Sequence, residues 1–177
     1  MNEFKIDLKL IRERAREHMA EGAETASYVA DRALVIKVLN EVLATEIVCN
    51  LRYKNHHYMA KGLHGVAVAA EFLTHANEEQ AHVDLVAARI AQLGGVPNFD
   101  PNGLATRSHV EYKEGKDLEE MIRENLVAER IAISTYAEMV QWLGGNDPTT
   151  RRMMEGLLAT EEEHADDLAN MLYRSGR

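Results

Sequence analysis

The sequence contains few residues that interrupt helices and few that cross-link chains. Only three of its 177 residues are proline, 6% are aromatic, and Cys49 is the single cysteine. One cysteine excludes an intrachain disulfide, which agrees with a reducing compartment. No apolar run approaches the roughly 18 residues that a membrane-spanning helix needs, and no segment resembles the apolar core of a signal peptide. These absences predict a cytoplasmic protein with no membrane partner.

Basic side chains are also in the minority, because 20 Lys and Arg stand against 29 Asp and Glu. The resulting formal net charge of −9 should repel nucleic acid and anionic lipid from the molecule as a whole, and it favours cations. The length suits one domain with a sizeable core. A composition rich in Ala, Leu, Glu, Met and Arg favours helices.

Four long segments with helical periodicity predict an all-α protein. Their approximate bounds are 31–61, 66–93, 118–143 and 148–173. An aspartate precedes three of these segments, where its side chain can accept hydrogen bonds from the first free N–H groups. These predicted N-caps are Asp31, Asp117 and Asp147. No segment shows the two-residue alternation of a strand over a useful length.

The connections between these segments determine the predicted topology. Short glycine-containing turns join the first two helices and the last two, whereas residues 94–116 hold two of the three prolines and predict a long crossover loop. Two antiparallel hairpins joined by one long crossover form a four-helix bundle. A short amphipathic helix at 4–22 precedes the bundle. We therefore expect an N-terminal extension at 1–30 and a bundle domain at 31–177.

The sequence Glu-x-x-His occurs twice within the helical segments, at Glu79–His82 and at Glu161–His164. Residues three apart lie on the same face of a helix, so each pair can present one oxygen and one nitrogen ligand together. Either pair alone is weak evidence for a metal site, because glutamate is common on solvated helix faces. The spacing of the two pairs relative to other glutamates is more specific.

Each Glu-x-x-His pair follows a glutamate on the preceding helix at almost the same distance. Glu46 precedes Glu79 by 33 residues, and Glu129 precedes Glu161 by 32. Such a displacement across an antiparallel hairpin returns the chain to a similar height in the bundle. The two halves therefore predict four carboxylates and two imidazoles at one level, which is the ligand set of di-iron and di-manganese bundles.

Burial and register support this selection of residues. Glu46 and Glu129 lie within apolar stretches of their helices, where a carboxylate is costly unless it is protonated, paired or bound to metal. Glu78 lies four residues before His82, but the equivalent position before His164 is Thr160. Only the three-residue spacing occurs in both halves, so Glu79 and Glu161 are selected. Three neighbouring glutamates are read as outward or supporting residues: Glu78, Glu162 and Glu163.

Carboxylate and imidazole ligands suit iron, manganese or zinc. Our hypothesis is that Glu79 and Glu161 bridge two metal ions. One ion is then completed by Glu46 and His82, and the other by Glu129 and His164. Tyr53 follows Glu46 by two helical turns and could donate a hydrogen bond or an electron to the centre, or could be an ordinary core tyrosine.

At these residues the chain resembles the bacterioferritin and Dps-like branch of the ferritin-like superfamily. The stretches that carry the resemblance are VIKVLNEVLATEIVCNLRY, EEQAHVDLVAARIAQLGGVPN, LEEMIRENLVAERIA and EEEHADDLANML. The resemblance covers about residues 33–173 and implies a homo-oligomeric shell of 12 or 24 subunits. It also implies a ferroxidase that oxidises Fe(II) with O₂ or H₂O₂ at a di-iron centre within each subunit, for iron storage and protection against oxidative stress.

Two of the departures from the family pattern bear on the expected cofactor and partners. Gln80 stands where bacterioferritins place the methionine that ligates haem, so we expect two Fe ions, or Mn or Zn in the same site, and no haem by that route. The N-terminal extension has basic residues interspersed with acids, which makes DNA a less favoured partner. Two alternatives remain: a Dps-like assembly that protects DNA through this arm, and a metal-binding structural shell without redox activity.

Overall fold

A computed structural model describes residues 5–23, 25–62 and 65–175, and these residues form helices and connections without a β-strand. The helices are α1 (Leu8–Glu17), α2 (Arg32–Met59), α3 (Gly65–Gln92), α4 (Leu104–Arg107), α5 (Leu118–Leu143) and α6 (Pro148–Ser175), with a 3-10 turn at Met19–Glu21. The all-α prediction is therefore confirmed, and the four long helices begin within two residues of their predicted starts. Phe4, the predicted start of the first helix, lies outside the described residues.

Aspartate side chains accept hydrogen bonds at the starts of the long helices, as their positions in the sequence predicted. Asp31 accepts from the backbone N–H of Leu34 at 3.1 Å, and Asp117 accepts from that of Glu120 at 2.9 Å. Asp147 caps α6 through the N–H of Thr150 at 2.9 Å. Pro148 occupies the first helical position, where its missing N–H would in any case have no partner within the helix.

The four long helices pair as two hairpins, α2 with α3 and α5 with α6, and the two hairpins also contact each other through α2–α5 and α3–α6. Buried apolar residues form two main clusters, beside a minor one of Val48, Cys49, Val110 and Ala128. The larger cluster includes Leu39, Val86, Tyr136 and Leu157, and the smaller includes Phe72 and Leu168. In each helix the glutamates predicted as ligands lie between residues of these two clusters, so the fold places them mid-bundle.

The crossover between α3 and α5 is more ordered than the predicted loop, because it contains the short helix α4. A four-residue helix is too short to show a 3.6-residue pattern, which explains why the sequence did not reveal it. Arg52 of α2 anchors the segment that follows α4. Its guanidinium is buried and donates to the carbonyls of Glu111 (2.8 Å) and Glu124 and to the side chain of Asn125 (3.3 Å).

The N-terminal helix is shorter than predicted, because α1 ends at Glu17 and the N–H of His18 closes its last turn on the carbonyl of Arg14. None of its residues is buried. Tyr28 connects the following segment to the bundle by donating to Asp147 at 2.9 Å. Within the described part of the chain, none of the helices combines the length and apolar character needed to cross a membrane.

Candidate metal centre

The six side chains predicted as ligands come together in the middle of the bundle. Every one of them is at most 6% exposed, although each is polar or charged. The six residues are Glu46 on α2, Glu79 and His82 on α3, Glu129 on α5, and Glu161 and His164 on α6. Of the neighbouring glutamates, Glu162 and Glu163 are exposed. The helical register therefore separates the buried glutamates from the solvated ones.

The six residues form two overlapping groups of potential ligands. In each group, one ligand atom per residue lies within 4.8 Å of the corresponding atoms of the other members. The first group is Glu46, Glu79, His82 and Glu161, and the second is Glu79, Glu129, Glu161 and His164. Glu79 and Glu161 belong to both groups. This arrangement can hold two cations side by side with two carboxylates shared between them.

Several of the clustered polar atoms have no hydrogen-bond partner among the described residues. They include both carboxylate oxygens of Glu79 and the Oε2 atom of Glu129, whereas the oxygens of Glu161 form ion pairs with the two imidazoles. A buried polar atom without a partner costs about 1–3 kcal/mol, so such a concentration is uncommon in a native core. Carboxylate oxygens and imidazole nitrogens are ligands of iron, manganese and zinc. The cluster therefore fits bound metal ions better than it fits a metal-free core.

Both imidazoles direct Nδ1 toward the carboxylates. Nδ1 of His82 lies 3.1 Å from an oxygen of Glu46 and 3.1 Å from an oxygen of Glu161. Nδ1 of His164 lies 3.2 Å from the other oxygen of Glu161. The opposite nitrogen of His164, Nε2, lies 2.8 Å from the carboxylate of Glu78. Glu78 is exposed and lies where it can hold the His164 ring in orientation, as outer carboxylates do for metal-bound histidines.

Burial and mutual charge displace the pKa values of the carboxyl groups in opposite directions. Burial and the negative charge of Glu161 raise the pKa values of Glu79 and Glu129 well above their ordinary range. Burial also acts to raise the pKa of Glu161, but His164 and His82 lower it to about 2. Four carboxylates therefore cannot all keep their charge in this dry space unless cations or protons accompany them.

The two imidazoles serve as the accompanying cations when no metal is bound. Burial opposes their protonation, but the carboxylates of Glu161 and Glu46 raise the pKa of His82 to about 12. Those of Glu161 and Glu129 raise the pKa of His164 to about 9. A metal ion must displace these protons, because only the neutral imidazole can ligate it.

Two tyrosines complete the centre, and the sequence analysis selected only one of them. Tyr53 on α2 donates a hydrogen bond to Glu129 on α5, and Tyr136 on α5 donates one to Glu46 on α2. Burial and the adjacent carboxylate raise the pKa of both hydroxyls, so both remain donors. Tyr136 follows Glu129 by seven residues, as Tyr53 follows Glu46. That repeated spacing was the signal that could have identified Tyr136.

Four long helices around a buried Glu/His cluster define an all-helical bundle with a candidate di-metal site. The chain belongs to the ferritin-like family, since the model of the ferritin-like domain matches residues 36–175.

The chain is similar both to a stress-induced DNA-binding protein and to bacterioferritins. A nutrient stress-induced DNA-binding protein from Nostoc sp. is 31% identical over 147 residues, which cover 80% of this chain and 79% of the relative. The bacterioferritin of Mycobacterium leprae is 26% identical over 81% of this chain and 86% of its own length. Among solved structures, the dodecameric thioferritin of Bacteroides fragilis, a bacterioferritin-related protein, matches with a TM-score of 0.81 and 32% identity. That match covers 84% of this chain and 90% of the other.

Proposed function

We propose that this protein is a ferroxidase whose substrate Fe(II) binds as a pair at the six-residue cluster. The observation that carries the proposal is the overlap of the two ligand groups at Glu79 and Glu161. In the proposed arrangement these two carboxylates contact both ions. Glu46 and His82 complete one position, and Glu129 and His164 complete the other. The hydroxyls of Tyr136 and Tyr53 hold Glu46 and Glu129, the glutamates that would each contact one ion, in place.

The proposed reaction transfers one electron from each Fe(II) to a shared oxidant. With H₂O₂, two Fe(II) and two protons give two Fe(III) and two molecules of water. With O₂, two Fe(II) and two protons give two Fe(III) and one H₂O₂. Two adjacent cation positions suit a two-electron oxidant, because both electrons leave the iron pair in one encounter. The product Fe(III) is then stored, and consumption of peroxide protects the cell against oxidative stress.

Assembly into a closed homo-oligomeric shell belongs to the same proposal. The solved relative from Bacteroides fragilis is dodecameric, which supports 12 subunits over 24. Apolar side chains on outward faces of α2, α3 and α5 are available for contacts between copies, including Leu34, Leu85, Val127 and Ile131. Light scattering of the purified protein distinguishes a monomer from either shell. A shell that stores iron for cytoplasmic use would itself be cytoplasmic.

Anaerobic loading with Fe(II), followed by addition of O₂ or H₂O₂, tests the proposal through the rise of Fe(III) absorbance. We expect the wild type to oxidise Fe(II) much faster than the uncatalysed reaction. The double variant Glu46→Ala/Glu129→Ala should lose this acceleration. Glu138→Ala, an exposed position on α5, is the matched control and should retain it. A double variant that oxidises Fe(II) at the wild-type rate would show that the cluster is not the ferroxidase site.

The same experiment separates the proposal from a structural shell without redox activity. Such a protein would bind Zn(II) or Mn(II) at the cluster but leave the oxidation rate of Fe(II) unchanged. A faster oxidation that depends on Glu46 and Glu129 excludes it.

A second candidate function, DNA binding through the N-terminal arm, is favoured by one observation. Helix α1 is exposed along its whole length and carries four basic residues, Lys9, Arg12, Arg14 and Arg16. A similar protein from Nostoc sp. is a DNA-binding protein by name. Retardation of linear DNA in a gel, weakened by salt and lost on deletion of residues 1–22, would support this function. No retardation by the full chain at low salt would contradict it.

A further inference from the structure

A second group of side chains with metal-binding chemistry lies beside the central cluster. His75 on α3 is 1% exposed, and its Nε2 lies 3.5 Å from a carboxylate oxygen of Glu71 and 3.8 Å from one of Asp167 on α6. One ligand atom from each of the three residues lies within 4.8 Å of the others. These separations exceed normal hydrogen-bond lengths. They match two ligands that share one ion, since bonds to a metal such as zinc are about 2.0–2.2 Å long.

The His75 ring has unused ligand capacity despite its full burial. Its Nδ1 atom has no hydrogen-bond partner among the described residues. The ring stacks on that of His164, with centroids 4.0 Å apart and planes at 19°. A buried imidazole with a nitrogen left unpaired is unfavourable compared with an apolar side chain of similar size. Of the two nitrogens, Nε2 is the one that faces the carboxylates of Glu71 and Asp167, and its contacts with them are longer than hydrogen bonds, so a cation between the three groups would give Nε2 a partner.

The other half of the bundle shows that the fold does not need polar groups at this level. Equivalent positions on α3 and α6 lie 82 residues apart, as Glu79 and Glu161 do. At this offset, each of Glu71, His75 and Asp167 corresponds to an apolar residue. His75 corresponds to Leu157, Glu71 to Met153, and Asp167 to Leu85. Leu157 is buried in the larger apolar cluster. The six ligand positions of the centre thus repeat in both halves of the bundle. The cluster of Glu71, His75 and Asp167 has no polar counterpart in the other half.

We propose that Glu71, His75 and Asp167 form a third site for a divalent cation. The two carboxylates are partly exposed, whereas His75 is buried against His164. A further ligand group, which consists of His75, Glu78 and His164, connects this site to the centre. A cation held here lies between solvent and the central cluster. That Fe(II) binds here on its way from solvent to the central cluster rests on the proposed function, but the binding of a cation at this site does not.

Crystals of the wild-type protein soaked in Zn(II) test the site through anomalous scattering at the zinc edge. We expect three peaks per subunit, one of them about 2.0–2.2 Å from Nε2 of His75. The variant His75→Leu introduces the residue that occupies the equivalent position, Leu157, and should lose this peak alone. Asp167→Asn should lose or weaken the same peak. Asp166→Asn makes the same charge change one residue away, at an exposed position, and should retain all three.

The outcomes for the two proposals are separable. Zinc at the central cluster without zinc at His75 overturns the third site and leaves the di-metal proposal standing. A peak at His75 that persists in His75→Leu overturns the assignment of its ligands. Zinc at His75 without zinc at the central cluster supports the third site and contradicts the di-metal proposal.

Discussion

The hydroxyl of Tyr53 on α2 donates a hydrogen bond to Glu129 on α5, from one hairpin of the bundle to the other. The reciprocal bond runs from Tyr136 on α5 to Glu46 on α2. A tyrosine of each hairpin thus holds a ligand glutamate of the other hairpin, Glu129 or Glu46. The two halves of the proposed centre are held at a set distance because each depends on a donor from the opposite half.

Replacing Tyr136 by phenylalanine should lower both stability and Fe(II) oxidation. Phenylalanine retains the buried ring but removes the donor, which leaves an oxygen of Glu46 without its partner. We expect a loss of about 1–3 kcal/mol in the free energy of unfolding of the metal-free protein. Tyr53→Phe should behave alike through Glu129. Tyr112→Phe, at an exposed tyrosine of the crossover, is the control. Denaturant unfolding and stopped-flow absorbance measure the two effects, and behaviour identical to the control would contradict the pairing.

The substitution Glu79→Gln should separate stability from metal binding. Both oxygens of Glu79 lack hydrogen-bond partners, and its negative charge is disfavoured by burial and by Glu161. Glutamine does not ionise, so the cost at neutral pH of either burying the Glu79 charge or protonating it disappears, and the melting temperature of the metal-free protein should rise by an equivalent of about 1 kcal/mol or more. Bound metal should stabilise the wild type, by about 2.7 kcal/mol at a hundredfold excess over the dissociation constant. The variant should lose most of that gain in a thermal melt with Zn(II). A variant that is less stable without metal, yet equally stabilised by Zn(II), would refute this account.

Asp147 should make stability depend on pH in acid. Burial acts to raise the pKa of its carboxyl, but hydrogen bonds from Thr150 and Tyr28 and the charge of Arg89 hold the pKa below 3.8. A carboxyl with a lowered pKa stabilises the fold above its ordinary pKa, and this contribution disappears as pH falls through the lower value. Asp147→Asn should therefore cost about 1–3 kcal/mol at pH 7. The difference from wild type should shrink below about pH 4.

Urea unfolding at a series of pH values measures this difference for Asp147→Asn. The exposed substitution Asp166→Asn should stay within about 0.5 kcal/mol of wild type throughout. A difference for Asp147→Asn that is constant from pH 7 to pH 3 would mean that the charge of Asp147 contributes nothing.

Arg52→Lys should loosen the crossover. The guanidinium of Arg52 reaches three acceptors on two segments, whereas a lysine ammonium is a compact charge that cannot span them. We expect a loss of about 1–3 kcal/mol and faster proteolysis within residues 94–116. Arg130→Lys, at an exposed position on α5, is the control. Equal cleavage rates for the two variants would show that Arg52 does not hold the segment.

The sequence by itself determined the four long helices, their capping aspartates, the single crossover and the set of six residues. These features depend on local geometry, because residues three apart share a helix face and a hairpin of known length returns the chain to the same level. The metal-binding role of the six residues and the division into 1–30 and 31–177 stay predictions. The spacing of Tyr136 from Glu129 was equally local, so that residue was within reach of the same reasoning.

Only the tertiary structure decided which atoms meet between helices. The bond from Tyr136 to Glu46 joins residues 90 apart, and the contact of Glu78 with His164 joins residues 86 apart. The contact between His75 and Asp167 likewise crosses from α3 to α6. Helical periodicity gives the face on which each side chain lies but not the rotation and height of one helix against another. Those are determined by the packing of the two apolar clusters, to which residues from every long helix contribute at once.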